Sequence, residues 1–317
     1  MLDSIFGISM FSFLIVALLT PFLIWGLRTL KLTQPIRVEM YADIQAKKGT
    51  PLMAGLVLFT GVGTTLTAHP SPMTVFLCAA FLLFGAVGFM DDFKKAAYQD
   101  PNGIASRTKL LLQFPITGLL LYVLFEAFDL SADISVIGDL HIPLFPIVYF
   151  IVMTLFIVGT ANAINFTDGL DGLLINVAIP SYMFFFVISE SVEVKTFSLV
   201  MVACLLGLFI YNIHPARAFM GDTGSLAIGG SLSFLAIIEK VEILIPILFS
   251  VYLAEQLSVM LQVWYYKKTK LRIFKMAPIH YHFILKYGWS ENKLVVIFGF
   301  VSWASALISW LLWKFLL

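Results

Sequence analysis

The chain has 317 residues, 60% of them hydrophobic and only 12% charged. A soluble protein carries about a quarter charged residues, so the composition excludes an ordinary soluble enzyme and indicates a polytopic membrane protein. The formal net charge of +1 leaves no electrostatic footprint for nucleic acid.

A span needs about 20 apolar residues. Ten stretches approach that length: 4–27, 52–68, 73–90, 110–128, 143–161, 173–189, 196–213, 226–238, 243–265 and 294–316. The eighth is short and glycine-rich, and its start is open as far back as Asp222. The expected fold is all-α with ten transmembrane helices, forming one integral membrane domain over residues 1–317. The N-terminus lacks a basic n-region and a clear cleavage site, so it reads as a retained span rather than a signal peptide. Cys78 and Cys204 both lie in apolar runs and read as small core residues.

The basic residues orient this arrangement. Loops after odd-numbered spans hold 17 Lys and Arg, and the other side holds only Lys195, Lys240 and Lys314. The positive-inside rule places the odd loops in the cytoplasm and both termini outside. On the outer side, alternating residues around Gly138-Asp139 within 133–143 predict a small β-hairpin, with His141 as a surface histidine. No inverted repeat stands out, which weakens a transporter reading.

Polar residues concentrate in four cytoplasmic clusters next to spans. The third span ends in Asp91-Asp92, followed by Lys94-Lys95. Adjacent carboxylates at a membrane surface repel, and a divalent cation or a cation-bridged phosphate relieves both. Further on, Ser106-Arg107-Thr108-Lys109 opens the fourth span with a capping residue and cations suited to phosphate.

The second cluster runs from Asn162 through Asn165, Asp168 and Asp171 to Gly172, in a cytoplasmic loop (160–172) without a basic residue. Two carboxylates three residues apart, with amides and turn-permitting glycines, suit a nucleoside or a metal. The third cluster, Gly221-Asp222-Thr223-Gly224-Ser225, precedes an apolar helix. It offers backbone N–H groups and a carboxylate for an anion or a Mg²⁺–phosphate group. His214 just before it reads as a helix-end histidine. The fourth cluster holds His280 and His282 in the basic loop 266–293. In an extended segment the two point the same way. With no Cys or third His nearby, phosphate contact or proton transfer fits better than zinc. The flanking cations suit anionic lipid head groups.

Together these motifs resemble the polyprenyl-phosphate N-acetylhexosamine-1-phosphate transferases. The marks are Gly49-Thr50-Pro51, Asp91-Asp92, the run Asn165 to Gly172, the run Phe219 to Ser225, and Pro278-Ile279-His280-Tyr281-His282-Phe283. The last mark, with Gly288-Trp289-Ser290-Glu291 after it, is that of the muramoyl branch. The resemblance implies a cytoplasmic active site in a bacterial plasma-membrane enzyme, Mg²⁺ as cofactor and a homodimer. It implies UDP-MurNAc-pentapeptide and undecaprenyl phosphate as substrates, with UMP released. It further implies that Asp91, Asp92 and Asp222 are catalytic and hold the metal, and that His280 is catalytic. Asn165 and Asp168 match the polar active-site loop. Lys48, Asp171, Asn212 and Phe219 match the uridine diphosphate end, Lys95 and Lys109 the phosphates, and His282 a substrate contact.

Two departures stand out. Three consecutive histidines are usual where His280-Tyr281-His282 stands, and the usual Gly-Thr-Pro-Thr-Met-Gly-Gly reads Gly49-Thr50-Pro51-Leu52-Met53-Ala54-Gly55. Direct in-line attack by the lipid phosphate, with Asp91 as base, and a covalent carboxylate route both remain open. The rival functions are a GlcNAc-1-phosphate transferase and, more remotely, a transporter using Glu126 or Glu255.

Overall fold

The computed structural model describes residues 2–35, 49–137 and 140–316. Twelve α-helices and one two-stranded sheet are found among them. Helix α1 (Leu2–Thr29) is followed by a 3-10 turn (Ala54–Leu58) that runs into α2 (Phe59–Ala68). Then come α3 (Pro72–Tyr98), α4 (Ser106–Ala127), strands β1 (Asp133–Ile137) and β2 (Leu140–Pro143), and α5 (Pro146–Thr167). Next are α6 (Leu173–Ile188), α7 (Val192–Asn212), α8 (Gly221–Ile238), the short α9 (Ile245–Leu248) and α10 (Ser250–Thr269). The chain closes with α11 (Ile279–Tyr287) and α12 (Glu291–Leu316).

Seven of these helices are long and apolar enough to cross a membrane: α1, α3, α4, α5, α7, α8 and α12. An eighth span exists if the segment Glu242–Leu248 and α10, bent by 77°, count as one. The expected spans 52–68 and 173–189 fall on shorter apolar helices. The count of ten therefore exceeds what length and hydropathy establish, because these two helices are too short for the criterion.

Helix α8, the least secure expectation, is the most buried of the candidate spans. Every residue from Thr223 to Ile237 is buried. Small residues explain both the weak hydropathy and the central position, since they let backbones approach closely. A Cβ on Gly229 would stand 2.6 Å from the Ala161 Cα of α5. Helices α3 and α5 pack against α8, and its first turn is thereby carried to one end of the bundle.

The expected hairpin is present, with Ile134 opposite Ile142 and Ser135 opposite His141. His141 Nδ1 lies 2.9 Å from Asp133, and Lys240 donates to the Ser131 and Asp133 carbonyls, tying the hairpin to the end of α8. Both cysteines are free and buried, as expected of core residues.

Candidate active site

Helix α3 does not stop at the expected span end. It continues two turns to Tyr98, and this places Asp91, Asp92 and Lys95 on one helical segment. Both carboxylates are fully buried, so the pair is not a solvated helix end. Successive residues on a helix diverge by about 100°, and the two side chains accordingly meet different partners.

Asp92 faces the start of α8. Its Oδ1 accepts the Asp222 N–H at 3.0 Å, and its Oδ2 accepts the Thr223 N–H at 2.8 Å and the Thr223 hydroxyl at 2.7 Å. A carboxylate is thus seated on otherwise unpaired N–H groups at a helix N-terminus. The fit requires α3 to touch α8 closely. Gly88 provides that contact, since a Cβ there would lie 2.0 Å from the Asp222 carbonyl oxygen.

Asp91 faces the α3–α4 turn. Its Oδ1 accepts the Ile104 N–H at 2.6 Å, and its Oδ2 lies 2.5 Å from Lys95 Nζ and 2.9 Å from Lys109 Nζ. Lys95 is four residues on, hence on the same helix face. Both ammonium groups also reach Asp222, Lys95 at 3.2 Å to Oδ1 and Lys109 at 2.5 Å to Oδ2. The two lysines therefore bridge the end of α3 to the start of α8.

Asp168 follows α5 and stands near the same cluster. Burial, then the charges of Asp222 and Asp92, hold its carboxyl well above the usual range. Asp91, Asp92 and Asp222 thus gather around two ammonium groups, a formal deficit of one positive charge, with the Asp168 carboxyl beside them. Asp91, Asp92 and Asp222 each offer an oxygen within 4.8 Å of the others. This all-carboxylate donor set, short of positive charge, fits a hard divalent cation such as Mg²⁺.

A cavity of about 260 Å³ opens beside the cluster, lined by Asp92, Lys95, Asn165, Asp168, Asp171 and Asp222. Asn212, Phe219, Tyr281, Gln34 and Leu52 complete much of the wall. Ligand pockets that enclose a whole drug-sized molecule run to roughly 300–1,000 Å³, so this cavity suits one end of a larger substrate. Its floor is sewn together by the expected residues. Asn165 donates to the Ser225 hydroxyl at 2.7 Å. Asn212 accepts the Gly172 N–H at 3.1 Å and donates to the Ala218 carbonyl at 2.9 Å. Backbone bonds join the Gly49-Thr50-Pro51 region to the third motif: Phe219 N–H to Pro51 carbonyl at 2.8 Å, and Gly55 N–H to Met220 carbonyl at 3.0 Å.

The two histidines separate. They sit on helix α11 rather than on an extended segment, so positions two apart point to different sides. His280 is fully buried, with Nδ1 3.1 Å from the equally buried Glu255 and its other nitrogen packed under Gly169. Glu255 is thus an internal partner rather than a lone mid-span charge. His282 accepts the Lys275 N–H at 3.0 Å, away from the cavity wall. Burial, with Lys286 and Lys275 nearby, pushes its pKa down. Lys48 lies outside the described residues.

The sequence reading did not single out Gln34, Thr223 or Tyr281 as site residues. Tyr281 donates its hydroxyl to the Gly169 carbonyl at 3.0 Å, and its place in the interrupted histidine run was the available signal. Thr223 was visible within its motif, but its bond to Asp92 spans 131 residues.

Residues 73–240 match glycosyl transferase family 4. The chain is 41% identical over 307 residues to the phospho-N-acetylmuramoyl-pentapeptide-transferase of Bacillus subtilis (strain 168), covering 94% of this chain and 93% of that one. It is 38% identical over 311 residues to the protein of the same name from Anoxybacillus flavithermus, with the same coverage. The corresponding Caldicellulosiruptor bescii protein is 39% identical over 305 residues, again with 94% and 93% covered.

Proposed function

The chain belongs to glycosyl transferase family 4 and, within it, to the phospho-N-acetylmuramoyl-pentapeptide-transferases, and from that membership we propose how its site works. The enzyme transfers phospho-MurNAc-pentapeptide from UDP-MurNAc-pentapeptide to undecaprenyl phosphate, giving lipid I and UMP. The observation that carries the catalytic reading is the bridging of Asp91 and Asp222 by Lys95 and Lys109, with Asp92 on the N-terminus of α8 and Asp168 beside them.

The reaction joins two anions, so positioning and charge neutralisation dominate the barrier. Asn165, Asp171, Asn212 and Phe219, on the cavity wall, receive the uridine end. Lys48 belongs to the same reading through its motif alone. Lys95 and Lys109 bind the phosphates. As substrate oxygens draw these ammonium groups off Asp91, its Oδ2 is uncovered to orient the acceptor phosphate or take its proton. Asp92 keeps the first turn of α8 in register, and with it Asp222. Asp222 and Asp91, with Asp92 beside them, would hold Mg²⁺, which when bound would supply charge neutralisation for the diphosphate and its leaving group. His280 supports the loop at Gly169 from beneath rather than from the cavity wall.

We read the protein as one domain with ten spans, both termini external and the site cytoplasmic, in the bacterial plasma membrane as a homodimer. The 17-to-3 distribution of basic residues supports the orientation. The shorter apolar helices and the bent pair supply the remaining spans.

Donor competition tests the substrate assignment. Purified enzyme with undecaprenyl phosphate and Mg²⁺ is expected to release UMP from the muramoyl donor, and excess UDP-GlcNAc is expected to leave that rate unchanged. Turnover of UDP-GlcNAc at a comparable rate would move the chain to the sister specificity.

A further inference from the structure

Glu291 opens α12, in the Gly-Trp-Ser-Glu segment that the catalytic reading does not use. Its carboxylate reaches across to the loop after α7, where His214 Nδ1 lies 3.5 Å from Glu291 Oε2. The same nitrogen lies 3.1 Å from Asp171 Oδ2. Asp171 Oδ2 also accepts the Ala216 N–H at 3.0 Å. Three distant parts of the chain therefore meet at one imidazole nitrogen.

The chemistry of that nitrogen fixes the arrangement. An ionised carboxylate only accepts hydrogen bonds, so an Nδ1 facing two of them has to carry the proton. Asp171 is 3% exposed at its side chain and lines the cavity, whereas His214 is 38% exposed and does not. His214 thus stands behind Asp171, and Glu291 stands behind His214. Such supporting partners set the orientation of the group that meets a ligand.

A second contact makes the segment a clamp. The Tyr281 hydroxyl holds the Gly169 carbonyl, two residues before Asp171. Between Tyr281 and Glu291 the chain is stiffened by Phe283 and Trp289, whose rings stack at 4.9 Å and 16°. The α11–α12 corner thus grips the 169–171 loop at two points.

We propose that Glu291, acting through His214, is a positioning residue that holds Asp171 in place for the uridine end of the nucleotide donor. This rests on the reading that Asp171 meets that nucleotide.

The test is steady-state kinetics of the full-length enzyme with UDP-MurNAc-pentapeptide and undecaprenyl phosphate. Glu291→Ala is expected to raise the donor KM about fivefold, the scale of one partly buried electrostatic contact, with kcat and the acceptor KM unchanged. Glu291→Gln, which keeps an oxygen for the imidazole N–H, is expected to restore the donor KM. Asp171→Ala is expected to raise the donor KM, and adding Glu291→Ala to it is expected to change nothing further. An unaltered donor KM in Glu291→Ala would overturn the proposal, as would a full fivefold increment persisting on top of Asp171→Ala. So would a fall in kcat accompanied by a lower melting temperature, which marks a merely structural role. If Glu291→Ala does not accumulate, the half-exposed His214 carries the same test as His214→Ala. A wild-type donor KM in Asp171→Ala is a separate result, and it removes the nucleotide role of Asp171 itself.

Discussion

Two acidic clusters flank the cavity, and their differences define what each can do. Asp91, Asp92 and Asp222 lie between α3 and α8 with two lysines and remain one positive charge short. Asp171 and Glu291 both face Nδ1 of His214, which is hydrogen-bonded to Asp171. The first offers carboxylates that could hold a cation, beside ammonium groups that could meet a phosphate. The second is closed on itself and suited to holding a side chain still. Similar ligand types at similar spacing thus carry different functions, according to the counter-charge each encloses.

The largest effect that separates the clusters is loss of chemistry in the first. Asp222→Asn and Asp91→Asn are each expected to lower kcat by about 10³-fold or more, with the protein still folding and inserting. Removal of Mg²⁺ by a chelator is expected to abolish UMP release in the wild type and restoration of Mg²⁺ to recover it. Lys109→Met is expected to cost about 10²-fold in kcat, the scale of one lost electrostatic contact in a site of developing charge.

Within the first cluster, the contrast between neighbouring carboxylates can be sharpened by stability. Asp92→Asn replaces an acceptor of three bonds by an amide whose NH₂ opposes the N–H groups of α8. It is expected to destabilise by about 1–3 kcal/mol, read as a lower melting temperature in detergent. Asp91→Asn is expected to melt close to the wild type. Gly88→Ala forces a methyl against the Asp222 carbonyl, with an expected cost of about 1–3 kcal/mol and reduced turnover. The smallest effect belongs to His282, which lies away from both clusters. His282→Asn is expected to change kcat/KM by less than about threefold, and a loss of 10²-fold would return it to the substrate site.

Much of this arrangement was legible in the sequence because its signals are local. Apolar runs marked the seven or eight candidate spans among the described residues, and the runs around Asp91, Asn165 and Asp222 stand out by placing polar residues beside them. What was not legible depends on contacts between distant segments. The sequence could not separate Asp91 from Asp92, because the distinction comes from α8, 130 residues on. Nor could it tell that α3 outruns its apolar stretch, since burial of Asp91 and Asp92 against α8 and the α3–α4 turn overrides local polarity. His280 and His282 would share a face only in an extended segment, and the stretch forms a helix that separates them. His214 looked like a helix end until the fold brought Glu291 to it across 77 residues.

The central claim is that Asp222, neutralised by Lys95 and Lys109, anchors the metal at which phosphoryl transfer occurs. The most direct measurement is Mg²⁺-dependent UMP release from UDP-MurNAc-pentapeptide with undecaprenyl phosphate, comparing wild-type enzyme with folded Asp222→Asn. The account predicts release from the wild type alone, at every Mg²⁺ concentration tried. Near-normal release by purified Asp222→Asn would contradict it.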